Sequence, residues 1–164
     1  GWDDRWKEFS DRAEKGKVIQ NRLLDLVDED TESFKKIIEA YGFPKNTEEE
    51  KRARNKAVQA ATKNAIIIPF RVMETAYSGF GLIREMVENG NPNSVTDAGV
   101  GALALRSCIR GAFLNVKINA AGLEDKAFAK EIINKGCDIE AKAILEEEAI
   151  LRIVESVIIK KSEA

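Results

Sequence analysis

The chain has 164 residues, 44% of them hydrophobic and 33% charged, with a formal net charge of −2. That is enough for one domain with a buried core, it gives no basic footprint for nucleic acid, and no uninterrupted apolar run approaches the ~18 residues of a membrane span. Histidine is absent, so a Ser–His–Asp triad and a His-ligated metal site are excluded, and proton transfer falls to Asp, Glu, Lys, Cys, Tyr or water.

The opening residues, GWDDRWKEFSDRAEKGK, are too charged for a signal peptide. A first helical region is predicted from about Trp2 to Tyr41, bent at Gly16 and regular over 17–41. Its apolar stripe is Ile19, Leu23, Leu26, Val27, Asp30, Phe34, Ile37, Ile38 and Tyr41, the spacing of one helix face. GFPKN ends it. Thr47 followed by Glu50 is a capping box that starts a second helix over 47–89. Pro69 lies inside this helix, where it lacks an amide donor and crowds the carbonyl of Ala65, so the spacing predicts a kink or break there. After ENGNPN, a third helix is predicted over 94–119. It is apolar nearly all round apart from Arg106, Arg110 and Lys117, which marks it as a central, buried helix. AAGLED turns the chain into a last amphipathic helix over 125–160, which ends in lysines as suits a helix C-terminus. No strand alternation bounded by tight turns appears. The expected fold is all-α, an antiparallel bundle of long helices forming a single domain over residues 1–164.

Cys108 and Cys137 are far apart and lie in no CxxC spacing, so free thiols in an intracellular, cytoplasmic protein are expected. No Gly-rich nucleotide-binding motif is present, and neither a metal nor a cofactor is expected.

The third helix carries an unusual line: Asp97, Gly101, Ala104, Cys108, Gly111, Asn115, Asn119. Small residues at helical spacing admit a close neighbour, either another helix or a flat ligand. Ser94 and Asp97 have capping-box spacing, which would explain Asp97 without function. Asn115 and Asn119 would equally be satisfied side chains near a helix end. Asp97 and Asn115 are separated by roughly 27 Å along one helix, so two subunits would have to share a site that used both. Asp30 is the second anomaly. A carboxylate on an apolar stripe is costly unless paired, so it either holds an Arg or a backbone amide or faces a polar cavity.

The segments LVDEDTESF, YGFPKNTEEEKRAR, ATKNAIIIPFRVMETA, NGNPNSVTDAGVGALALRSCIRGAFLNVKIN and LEDKAFA occur in that order. Together they resemble the cyclodeaminase domain of the formiminotransferase-cyclodeaminase family, whose stand-alone relatives are methenyltetrahydrofolate cyclohydrolases. The similarity covers nearly the whole chain. It implies an all-helical fold, a homodimer or higher oligomer, a folate site and no cofactor. It also implies the closure of 5-formiminotetrahydrofolate to 5,10-methenyltetrahydrofolate with release of ammonia, in histidine breakdown and one-carbon metabolism. The cyclohydrolase reaction and a non-catalytic oligomerisation module are the alternatives. The family begins with a glycine-rich P-G-G-G-S turn and a small-residue helix. These 164 residues hold no such segment, so an N-terminally incomplete domain is expected, with the small stripe of the third helix as the packing surface for that helix.

Ring closure requires N10 of the folate to lose a proton and the departing nitrogen to gain one. Without histidine, Asp97 and Asp30 are the candidate proton carriers; they match the family's S-x-D and D-E-D segments. Asn93 and Ser94 stand beside Asp97 as substrate-binding candidates. Asn115 and Asn119 would orient the substrate through amide hydrogen bonds. Arg71, Arg106, Arg110 and Lys117 are candidates for the anionic folate tail, in its mono- or polyglutamylated form, against plain pairing within the bundle. No nucleic-acid or membrane partner is expected.

Overall fold

The computed structural model describes residues 3–163; the expected helix start at Trp2 lies outside them. Four long helices follow a short 3-10 turn at Asp3–Arg5: α1 Trp6–Tyr41, α2 Glu48–Asn89, α3 Val95–Ala121 and α4 Lys126–Ser162. Among the described residues there is no strand. The all-α expectation holds, and every expected helix boundary except the start of the first helix's regular part falls within two residues.

The side of α1 turned to the protein repeats with alternating steps of four and three. Gly16, Ile19, Leu23, Leu26, Ser33, Ile37 and Ala40 are buried or half-buried, a coiled-coil type seam. Leu26 and Ser33 are fully buried, and the Asn64 side-chain amide of α2 donates to Ser33 Oγ at 3.1 Å. This seam corrects the expected stripe. Val27, Phe34, Ile38 and Tyr41 are more than half exposed, because the 3.6-residue count had merged two adjacent faces. Gly16 does not break α1. The helix runs through it, and its missing side chain leaves room for Leu82 of α2.

Thr47 and Glu50 form the expected capping box, each side chain bonded to the other's backbone amide. α2 then continues unbroken through Pro69, contrary to the expected interruption; the reason belongs to the site described below. The centre of α2 is long and apolar enough to cross a membrane by length and composition, but its Ile66, Met73, Ala76 and Phe80 are buried in the core.

The core is closed by Ile109, Phe113 and Val116 of α3 and by Ala143 and Ile150 of α4. α3 is buried on one face only. Val100, Leu103, Leu114 and Ile118 are between 44% and 71% exposed, so the expectation of an all-round buried helix is corrected. Its start differs as well. Pro92–Ser94 form a 3-10 turn, and Ser94 takes φ −106° and ψ 15°. That is not the extended backbone from which a capping side chain reaches back, and Ser94 makes no capping hydrogen bond. The Ser94–Asp97 capping box is therefore absent.

α4 packs closely where Gly136 faces Phe113. A side-chain carbon at Gly136 would fall well inside contact distance of the fully buried Phe113 ring. Gly136→Ala is expected to lower stability by about 1–3 kcal/mol through overpacking, despite alanine's better helix propensity. Urea unfolding of the variant checks this; a midpoint equal to or above that of the parent would refute it.

Candidate functional site

α1, α2 and α3 enclose a cleft of about 640 Å³, within the range of small-molecule sites. Ile19, Leu23, Leu24, Leu26 and Val27 of α1 line it, with Pro69 and Val72 of α2 and Leu105, Cys108 and Ala112 of α3. Four polar residues also reach it: Gln20, Asp30, Thr31 and Asn115.

Asp30 holds the seam position between Leu26 and Ser33, yet it is exposed while both of those are buried. A register position that should be covered stands open because the cleft opens there. Asp30 thus faces a cavity rather than a buried ion pair, but the walls of that cavity are mainly apolar, not polar as expected. Among the described residues it makes no hydrogen bond or salt bridge.

Pro69 shapes the opposite wall. In a regular helix the amide of residue 69 would donate to the carbonyl of Ala65, and proline has no such donor. Ala65 is only 5% exposed, so its oxygen would be left buried and unsatisfied. The side-chain amide of Asn119 fills the gap, with Nδ2 donating to Ala65 O at 2.9 Å. This lets α2 run through the proline while the ring faces the cleft. Asn119 is therefore engaged with backbone. Asn115, one turn earlier on α3, remains exposed on the cleft wall.

The remaining candidates lie apart. Asp97 is exposed at the start of α3, two turns before Leu105, the first cleft residue of that helix, and so roughly 12 Å along the axis from the cleft. Asn93 and Ser94 are in the preceding turn, where Asn93 Oδ1 accepts a hydrogen bond from Lys161 Nζ at 2.8 Å. Arg106 lies 3.8 Å from Glu140 and 3.5 Å from Glu147 of α4, and Arg110 also pairs with Glu140. Lys117 sits 3.8 Å over the Phe113 ring. Arg71 is exposed on α2 between cleft residues Pro69 and Val72 and is 3.7 Å from Glu29. A hydrogen bond from Arg22 holds Glu29 below the usual carboxylate range, and the charge of Arg71 adds to this. The cleft thus unites Asp30 with Asn115 and excludes the other candidates, at least within one chain. It also contains residues that sequence reasoning did not single out. Gln20 and Thr31 flank the seam without any periodic signal, and Thr31 spends its hydroxyl on Val27 O at 3.0 Å. Pro69 had a signal, read only as a helix break.

Comparison with known proteins now bears on the same chain. A profile described as formiminotransferase-cyclodeaminase matches residues 1–136. The chain belongs to this family. It is 37% identical over 143 residues to a methenyltetrahydrofolate cyclohydrolase of Methylorubrum extorquens, covering 87% of this chain and 69% of that protein. It is 34% identical over 110 residues to the formimidoyltransferase-cyclodeaminase of Mus musculus, covering 67% of this chain but a fifth (20%) of that protein. In fold it resembles a formiminotetrahydrofolate cyclodeaminase of Thermotoga maritima, with a TM-score of 0.80 at 24% identity over 96% of this chain and 75% of that one. The all-helical bundle expected from the resemblance is the fold of this family, and its named members process folates.

Two measurements follow from the geometry. Removing the Asn119 amide should expose the cost of an unsatisfied carbonyl, about 1–3 kcal/mol, in Asn119→Ala. The cost should shrink in a Pro69→Ala background, where the restored amide serves Ala65. A double-mutant cycle by chemical denaturation tests this, and additive effects would refute the exchange. In addition, Cys108 is half-buried, with its thiol pushed up by burial, whereas Cys137 is exposed. A thiol reagent is expected to modify Cys137 first, and a cleft ligand should slow Cys108 selectively. Equal rates for the two would argue against the cleft geometry.

Proposed function

We propose that the chain acts on a tetrahydrofolate carrying a one-carbon unit at N5, as a formimidoyltetrahydrofolate cyclodeaminase. The observation that carries this reading is the apolar cleft in which Asp30 and Asn115 stand on facing helices, in a family of folate enzymes. Its apolar walls suit the flat pterin, and its few polar groups suit orientation.

The reaction balances as follows. N10 attacks the carbon of the protonated formimino group, forming the N10–C bond. N10 loses its proton, the nitrogen of the tetrahedral adduct gains one, and the C–N bond to that nitrogen breaks. The products are 5,10-methenyltetrahydrofolate and ammonia. Asp30 is the proton carrier in this scheme, since one carboxylate can take the N10 proton and return it to the leaving nitrogen. Asn115 holds the formimino group or the pterin edge by amide hydrogen bonds. Arg71, one residue before Val72 on the wall, supplies the cation for the glutamate tail. Arg106 and Arg110 are less suited, because their charges are already met by Glu140 and Glu147.

The cyclohydrolase reaction is the second reading, favoured by the 37% identity to a protein of that name. There Asp30 would deprotonate the water that adds to the methenyl carbon, and the N5–C bond would break to leave the formyl group on N10.

Asp30→Asn is expected to cut turnover by at least ~100-fold, the lower range for a lost general acid–base group. Melting temperature should hold, since Asp30 is exposed and unpaired. The assay supplies 5-formiminotetrahydrofolate and 5,10-methenyltetrahydrofolate separately and measures ammonia and 10-formyltetrahydrofolate. Ammonia release supports the deaminase, formyl product alone supports the cyclohydrolase, and turnover by Asp30→Asn within about threefold of the parent sinks the role given to Asp30.

A further inference from the structure

We propose that Gln20 recognises the pyrimidine edge of the substrate's pterin, at the end of the cleft opposite Asp30 and Asn115. This assignment rests on the functional reading above and adds to it the direction in which the substrate lies.

The helix contacts fix which cleft residues stand level with one another. Leu82 of α2 packs where Gly16 leaves room, and Asn64 of α2 bonds Ser33, so α1 runs antiparallel to α2. Leu105 packs at Gly79 and Asn119 bonds Ala65, so α3 does the same. α1 and α3 thus point the same way. Asp30 lies three residues before Ser33, and Asn115 four before Asn119, which puts both at one end of the cleft. Gly16, Gln20 and Leu105 mark the other end. From Gln20 to Asp30 on α1, and from Leu105 to Asn115 on α3, the separation along the axis is roughly 15 Å. Between the ends the walls are apolar: Leu23, Leu26, Val72, Cys108 and Ala112. The cleft therefore fits an occupant with a flat apolar middle and hydrogen-bonding groups at both ends.

A pterin meets that description. A hydrogen bond at N10, the fused ring, and a hydrogen bond at the N3–C4 edge together span about 13 Å, close to the separation of Asp30 and Gln20. That edge carries N3–H beside the O4 carbonyl, a donor next to an acceptor. A side-chain carboxamide offers the reverse pair, a carbonyl and an N–H on one side. Gln20 Oε1 accepts from Lys17 Nζ at 3.0 Å, which uses one of its two lone pairs and holds the oxygen toward Lys17. The second lone pair remains for N3–H. Nε2, which makes no hydrogen bond among the described residues, remains for O4.

The opposite direction is closed. Beyond Asp30, Pro69 and Asn115 only Thr31 lines the cleft, because there Ser33 is buried and bonded by Asn64, and Asn119 is bonded to Ala65. A ring system with N10 at Asp30 has room only toward Gln20. The p-aminobenzoyl glutamate then leaves N10 toward solvent at the Asp30 end, and Asn115 is left with the formimino group rather than the pterin edge.

Titration calorimetry of the full chain with folic acid and with its 4-amino analogue tests the assignment. The analogue has an amino group at position 4 and no hydrogen on N3, so its donor and acceptor are exchanged. Pairing with it requires Gln20 to turn its amide and give up Lys17. The parent is expected to bind folic acid about tenfold more tightly than the analogue, the worth of one to two net hydrogen bonds. Gln20→Leu should lose about tenfold in affinity for folic acid and lose the preference, with unchanged circular dichroism. In the turnover assay above, the same variant should raise KM about tenfold and keep kcat within about threefold, since the pyrimidine edge is held equally in ground and transition state. A lower kcat at unchanged KM, an unchanged affinity for folic acid, or a preference that survives Gln20→Leu would overturn the assignment. Equal losses for the two ligands would place the glutamate carboxylates at Gln20 and overturn it as well. A parent that binds neither ligand would remove the functional reading itself, and the assignment with it.

Discussion

The Ala65 carbonyl is the point on which the site depends. Pro69 withdraws the amide that a helix would supply, in a place too buried for water to replace it. Asn119 replaces it from the neighbouring helix at 2.9 Å. This one hydrogen bond couples three things. It keeps α2 continuous over 42 residues, fixes the register of α3 against α2, and orients the wall on which Pro69, Val72 and Asn115 stand. An unsatisfied buried acceptor costs about 1–3 kcal/mol, a sizeable part of the 5–15 kcal/mol by which a domain is stable. The register is therefore strongly favoured over one shifted by a turn.

With that register set, the cleft arises from a conflict between two regularities. The seam of α1 demands an inward residue at position 30. α2 and α3 present a proline ring, Ala112 and the half-buried thiol of Cys108 there, which leave space rather than fill it. A carboxylate in that position would be costly in a closed interface, and it is tolerated because the interface is open. The apolar rim formed by Leu24 and Val27 surrounds the carboxylate with groups that cannot neutralise it, so whatever enters the cleft meets Asp30 as its main charged partner.

Much of the fold was legible in the sequence, for reasons particular residues make plain. The Thr47–Glu50 capping box is a contact between residues three apart, and local spacing determines it. The four helices follow from their breakers. Less legible were features that depend on a distant partner. Pro69 signals a break when read along the chain, and only Asn119, 50 residues later, cancels it. The stripe of α1 separates into a buried seam and an exposed face only when the step pattern is counted as four and three instead of 3.6. The Ser94–Asp97 box failed because Pro92 draws Ser94 into a 3-10 turn, and motif spacing carries no backbone angles.

The basic residues show the same division in electrostatic terms. Arg106, Arg110 and Lys117 follow each other at steps of four and seven, so they share one side of α3. Cys108, Ala112 and Asn115 share another, the side that lines the cleft. That much is readable from spacing. What is not readable is that α4, antiparallel to α3, places Glu140 and Glu147 against the arginine side, while an aromatic ring one turn back on α3 takes the lysine. Once those pairings exist, the three charges serve the α3–α4 contact and point away from the cleft. Arg71, on a different helix between the cleft residues Pro69 and Val72, is held only at 3.7 Å by a glutamate that Arg22 already bonds. A weakly engaged, exposed arginine costs little to redirect toward an anionic ligand, whereas drawing Arg106 away would strand Glu147 with a side chain only 19% exposed. The difference lies in what each cation leaves behind, and neither its identity nor its position along the sequence expresses that.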